Sequence, residues 1–298
     1  MKIIENNKDY FDQSVDEIKL LRFINLNGNM DERNVLKFHD FFYHKEHLFI
    51  VTELLKDNLY EYSKYNRENE NFAYFTIGRL QKITMQVLNA LDYIHSLHLI
   101  HCDLKPENIL MKSYSKSEVK VIDFGSSCFI HDHLSSYVQS RSYRAPEVIL
   151  GCKYDYKIDI WSLGCILAEM LTNYVLFQND TIQGLLARVI GIIGPIPEHM
   201  MKRGTLVGNY FTREGLIYQE PPDEDDKDAS RTHSMSNASV KHGKKRQGDH
   251  LKIQILIPKS TSLKHRLKTD DENFIDFVKW LLEVDPEKRY SNNFDYLN

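Results

Sequence analysis

Cysteine is scarce in this chain. The four cysteines, at 102, 128, 152 and 165, follow neither a metal-ligand spacing nor a disulfide framework, so a reduced chain in a cytoplasmic or nuclear setting is expected. Excess charge is missing as well. A net charge of −4 over 298 residues gives no field argument for nucleic acid or for a membrane surface, and neither partner is expected. No uninterrupted apolar run approaches membrane-spanning length, and residues 1–11 lack the apolar core of a signal peptide. There is no internal repeat. What remains is an ordinary globular composition, 42% hydrophobic and 27% charged, with enough chain for one large or two modest domains.

Read in order, residues 2–4 resemble the end of a strand. Over 12–25 the apolar residues Val15, Ile18, Leu21 and Phe23 or Ile24 predict a helix, stopped by Asn27-Gly28-Asn29. Residues 35–44 and 47–51 read as two strands joined at a tight polar turn, 43–46. Residues 52–57 connect this small β-rich unit to a larger helical one. There, a helix is predicted over 77–98, with Leu80, Ile83, Val87, Leu88, Leu91, Ile94 and Leu97 on one face. Residues 159–167 form a helix apolar nearly all round, which belongs in the middle of a domain. Two more helices are predicted over 182–193 and 274–284. Residues 221–250 are a different material, an acidic block followed by a basic one with almost nothing to anchor a core, and they are expected to be a disordered or weakly ordered insertion. Lys244-Lys245-Arg246 within it reads as solvated surface, with a nuclear-import patch as the alternative.

One stretch, residues 99–125, carries chemistry. Asp103, Asn108 and Asp123 sit among apolar neighbours, where carboxylates are costly unless a cation or hydrogen bonds meet them. Asp103 and Asn108 share a short loop with Lys105. Asp123 follows a β-branched run, Val119, Val121 and Ile122, and precedes the turn Phe124-Gly125. Two carboxylates, an amide and a lysine converging from two loops suit a magnesium–phosphate site. Oxygen ligands hold the hard cation, one carboxylate takes an acceptor's proton, and an ammonium neutralises phosphate charge. The order H-x-D-x-K-x-x-N followed by D-F-G is highly specific.

On these residues the chain resembles a eukaryotic protein kinase catalytic domain over nearly its whole length. HCDLKPENIL is similar to the catalytic loop, IDFG to the magnesium loop, Arg144 to Glu147 (RAPE) to the end of the activation segment, and DIWSLGCILAEM to the central helix. Cys102 in place of the usual arginine, the run DFGSSC, and SSYVQSRSYRAPEVILG narrow the resemblance. They point to the dual-specificity tyrosine-regulated (DYRK-type) branch of the proline-directed (CMGC) group, and residues 187–211 resemble its plant-like subset. The fold this implies is α+β and two-lobed. Residues 1–54 would be a small β lobe, incomplete because the strands of the glycine-rich loop are missing, and 55–298 a mainly helical lobe.

The resemblance implies a serine/threonine kinase with tyrosine autophosphorylation, using ATP and Mg2+. Asp103 would be the base, with Lys105 beside the transferring group and Asn108 and Asp123 as metal ligands. Lys2 would grip the α- and β-phosphates and Glu17 would pair with it; two surface charges are the alternative. Thr52, Glu53, Leu54 and Leu55 would lie along the adenine, with the backbone of Leu54-Leu55 binding it, Thr52 behind it and Leu110 beneath the ring. Glu147 would pair with Arg289, and Asp159 would hold the catalytic loop. Tyr137 would be phosphorylated during the kinase's own folding, with Arg141 and Arg144 meeting the phosphate. Protein acceptors in which Ser or Thr precedes Pro, often with Arg upstream, and a monomer are expected.

The G-x-G-x-x-G loop that should precede Lys2 is absent, and the chain stops inside what should be its last helix. A fragment of a longer kinase is the favoured reading, with a truncated product as the other. Two alternative functions stay open here: a non-catalytic binding module of pseudokinase type, and a small-molecule phosphotransferase. The activation segment counts against the latter.

Overall fold

A computed structural model of the chain describes residues 1–69, 74–132, 135, 137–219 and 253–290. The insertion expected over 221–250 and the chain end at 295–298 fall outside the described residues. The molecule is α+β, a small sheet unit set against a larger helical one.

The small unit contains β1 (Lys2–Ile3), α1 (Lys8–Leu26), β2 (Phe38–His44) and β3 (His47–Thr52). Its sheet is antiparallel with strand order β1-β3-β2. Helix α1 begins four residues earlier than its apolar period predicts, because Asn7 caps it by accepting the Asp9 N–H at 2.9 Å. Its buried side carries Ile18, Leu21 and Ile24, with Phe23 left exposed, and it also buries Glu17. The turn between β2 and β3 has Lys45 and Glu46 at φ 45° and 64°, the left-handed pair that a two-residue hairpin requires. The predicted strand over 35–44 starts only at Phe38. Val35 is fully buried and bridges Val121 in the large unit, and Leu36 and Asn34 also exchange backbone bonds with Val121 (3.1 and 2.8 Å). Tertiary pairing takes these residues out of the sheet.

The large unit continues with α2 (Leu59–Glu68), α3 (Ile77–Ser96), β4 (Leu99–Ile100), β5 (Ile109–Ser113), β6 (Glu118–Val121) and β7 (Cys128–Phe129). Then follow α4 (Pro146–Ile149), α5 (Lys157–Thr172), α6 (Ile182–Ile192), α7 (Glu198–Arg203), β8 (Ile217–Gln219), β9 (Gln254–Leu256), α8 (Leu263–Leu267) and α9 (Glu272–Leu281). The apolar face of α3 is buried at Leu80, Ile83, Val87, Leu91 and Ile94, while Leu88 and Leu97 are only partly covered. Helix α5 is buried almost throughout, as its all-round apolarity implies. At Gly164 of α5 an added Cβ would fall 2.8 Å from Leu282, so only glycine lets the chain beyond α9 approach this closely.

One buried ion pair closes the large unit. The Arg289 guanidinium donates to both Glu147 carboxylate oxygens, at 2.5 and 2.9 Å, with both side chains essentially inaccessible. The bidentate geometry is what makes such burial tolerable. It ties α4 to the chain beyond α9, and Arg289 also donates to the Lys157 carbonyl at the start of α5, at 3.0 Å.

Candidate active site

The loop between β4 and β5 holds Asp103, Lys105 and Asn108, and α5 fixes it. Asp159, fully buried on that helix, accepts the backbone N–H groups of His101 (2.9 Å) and Cys102 (3.1 Å), and its Oδ2 is also 2.9 Å from His95 Nε2. These bonds hold Cys102 at φ 64°, a left-handed conformation costly for a non-glycine residue. The kink turns Asp103 outward. Lys105 Nζ donates to its Oδ2 at 2.7 Å, while the Ser140 N–H and hydroxyl donate to its Oδ1 at 3.1 and 2.8 Å. Asn108 Nδ2 donates to the Asp103 backbone oxygen at 2.8 Å. The Asn108 side-chain oxygen accepts nothing among the described residues.

Asp123 is brought to this loop by β6. The Ile122 N–H donates to the Asn108 carbonyl at 3.0 Å, and the His101 ring donates from Nε2 to the Ile122 carbonyl at 3.0 Å. Phe124 is fully buried against the His101 ring, 5.3 Å between centroids. Asp123 itself has φ 64°, and among the described residues its carboxylate accepts only the Gly125 N–H, at 3.3 Å. A Cβ built on Gly125 would lie 3.3 Å from Asp123 Oδ1 and 3.9 Å from Glu17 Oε2, which sets α1 of the small unit beside this loop. Glu17 Oε2 in turn takes Lys2 Nζ at 2.7 Å; the carboxylate is nearly buried and the lysine 53% exposed. Lys2, Glu17 and Asp123 therefore border one junction between the units, with Asp103, Lys105 and Asn108 on its large-unit side. The free oxygens of Asn108 and Asp123 are hard donors of the kind magnesium takes, so this set fits that ion.

Thr52, Glu53, Leu54 and Leu55 form the strap between the units. The backbone groups of Leu54 and Leu55 have no protein partner among the described residues, as adenine binding would need. Glu53 contributes differently from an ordinary lining side chain. Its carboxylate is occupied by Lys120 at 2.6 Å and by the Lys37 N–H at 2.7 Å, which leaves its backbone carbonyl for a ligand. Leu110 on β5 lies opposite Lys120 on β6.

Tyr137 is 76% exposed, with the Arg144 guanidinium 4.3 Å over its ring. Arg144, and more weakly Arg141, hold the phenol below its ordinary pKa. Arg141 donates to the Asp180 carbonyl at 2.8 Å. Arg144 donates to the carbonyls of Val138 (2.9 Å) and Gln139 (2.8 Å), and Gln139 has φ 66°. A cavity of about 530 Å³ runs from Asp103 past Ser140 to Tyr137, Arg141 and Arg144.

Sequence reasoning missed four contributors. Ser140 lies far from Asp103 in the chain, and no local signal marks it. Glu107 and Glu169 had a signal, carboxylates set in a catalytic-loop run and in an apolar helix. Glu107 Oε2 is buried without a partner, and Glu169, which accepts the Tyr143 hydroxyl at 2.7 Å, is pushed up by burial and by Glu107. Lys120 is the fourth, a lysine almost completely buried.

A family model described as the protein kinase domain matches residues 1–295. Dual specificity tyrosine-phosphorylation-regulated kinase 4 of Homo sapiens is 37% identical over 289 residues, which cover 97% of this chain and 49% of that protein. The kinase mbk-2 of Caenorhabditis elegans is 38% identical over 294 residues, 97% of this chain and 34% of that protein. The DYRK-family kinase pom1 of Schizosaccharomyces pombe is 38% identical over 289 residues, 97% of this chain and 24% of that protein. The chain thus spans half or less of the length of these curated relatives.

Proposed function

This chain belongs to the protein kinase domain family, in its dual-specificity tyrosine-phosphorylation-regulated branch, and from that premise we propose that it transfers the γ-phosphoryl group of Mg–ATP to protein hydroxyls. The carrying observation is Asp103. One carboxylate oxygen is held by Lys105 and the other by Ser140, beside the loop that carries Asp123. An acceptor hydroxyl entering there gives its proton to Asp103, while Lys105 balances charge developing on the phosphoryl oxygens. Asn108 and Asp123 hold magnesium, which neutralises phosphate charge when bound. Lys2, oriented by Glu17, grips the remaining phosphates. The strap at 52–55 and Leu110 take the adenine. The alternatives of a binding module and a small-molecule phosphotransferase gain nothing from relatives that are named as protein kinases.

The acceptor is a serine or threonine followed by proline. Support comes from Gln139, whose carbonyl is turned onto Arg144 and so offers nothing to an incoming backbone N–H. Proline has no N–H to leave unpaired. An arginine upstream of the acceptor is matched by half-buried Glu107, with Oε2 sealed off, and by buried Glu169, neither of which has a cation among the described residues. Tyr137, with Arg144 already against it, is the autophosphorylated residue.

The test is transfer from Mg–ATP to an arginine-containing Ser-Pro peptide by this chain and by Asp103→Asn. A fall of about 10³-fold with an unchanged melting temperature is expected. Equal transfer by both proteins, or none by the parent, overturns the assignment.

A further inference from the structure

Lys120 takes no part in the chemistry above, yet it is the most costly side chain to bury near the site. Only 1% of it is exposed. An ammonium removed from water costs several kcal/mol unless carboxylates meet it. Two do, from separate parts of the chain. Glu53 Oε1, on the strap, lies at 2.6 Å, and Asp31 Oδ1, in the turn after α1, at 2.9 Å. Asp31 also takes Lys112 Nζ at 2.7 Å, and these two lysines hold its carboxyl well below the usual range.

Glu53 is tied down on every side but one. Its carboxylate takes Lys120 and the Lys37 N–H, and its own N–H donates to the Lys37 carbonyl at 3.0 Å. Only its carbonyl is left, touched by the Thr52 hydroxyl at 3.2 Å. Leu110 faces Lys120 across the β5–β6 ladder. A single buried cation therefore fixes the strap, and its own strand pairs with the one that carries Leu110.

We propose that Lys120 is a positioning residue for the purine, acting through Glu53 to aim the Glu53 carbonyl and the neighbouring Leu54-Leu55 backbone at the base. The proposal rests on the nucleotide-binding reading above. It adds that selectivity for adenine is set from the side of the strap opposite the ligand. Removing Lys120 takes the cation from the Glu53 carboxylate, while Asp31 keeps Lys112, and the unpaired Glu53 then lets the strap shift.

The experiment is calorimetric titration of the full chain with the magnesium complexes of two non-hydrolysable triphosphates, one of adenosine and one of inosine. The parent is compared with Lys120→Met, Lys120→Arg, Glu53→Gln and the Lys120→Met/Glu53→Gln pair. Lys120→Met is expected to weaken the adenosine compound about tenfold while leaving the inosine compound within about twofold, and Lys120→Arg to recover most of the loss. In the Glu53→Gln background the same lysine change is expected to add less than about twofold, because the two residues act as one unit. Parental affinity and base preference in Lys120→Met, whatever its melting temperature, reduces Lys120 to a structural role and overturns the proposal. Should Lys120→Met not fold, Glu53→Gln decides alone: unaltered preference for adenosine overturns it. A parent that binds neither compound sinks the kinase reading itself, a result distinct from the others.

Discussion

The two sides of the candidate active site are built to different standards. On the large-unit side, Asp103 is held by Lys105 and Ser140, its loop by Asp159, and Asp159 by a helix buried almost throughout. On the small-unit side, Lys2 and Glu17 are joined by one contact, and the lysine is half in water. Burial explains the contrast. Hydrogen bonds inside the core are expensive to leave unmade, so the groups that do the chemistry stay where the fold puts them. An ion pair near solvent adds little to stability and is free to break and re-form. The proposed proton acceptor, Asp103, is thus held in place, and the proposed phosphate grip, Lys2, is adjustable.

Three substitutions press on that difference. Asp159→Asn places an amide nitrogen against the N–H of either His101 or Cys102, and it is expected to cost about 2–4 kcal/mol in denaturant unfolding. A loss under about 0.5 kcal/mol would erase the contrast. Glu17→Gln is expected to change stability by less than about 1 kcal/mol while weakening Mg–ATP binding severalfold, because only the orientation of Lys2 is lost. A large loss of stability there would show the small-unit side to be built like the other. Tyr137→Phe is expected to have the smallest effect, a severalfold lower activity in freshly translated protein with no phosphotyrosine at that position. Undiminished activity would remove the role given to Tyr137.

Much of the site could be read from the chain because it is local. Asp103, Lys105 and Asn108 share one loop, and Asp123 follows the next ladder, so the spacing itself carries the geometry. Helix α5 was equally legible, since a segment apolar on every side has nowhere to go but inside. Residues that act through distant contacts were not. Ser140 reaches Asp103 from the activation segment, and Lys120 meets Glu53 and Asp31 only after the units close on each other. Helix α2 was missed as well. Rich in tyrosine and charge, it is held by the Asn58 cap and by Tyr62 stacked on Tyr114, contacts that a periodicity does not reveal. Val35 reads as strand by composition, yet it is drawn away to Val121.

Arg144 stands under the ring of Tyr137 and, with the same guanidinium, holds the turned carbonyl of Gln139. A phosphate on that tyrosine, as proposed above, would therefore share its anchor with the carbonyl proposed to select the acceptor. On that proposal maturation and the choice of acceptor would hang from one bolt, and neither would be free to drift without the other.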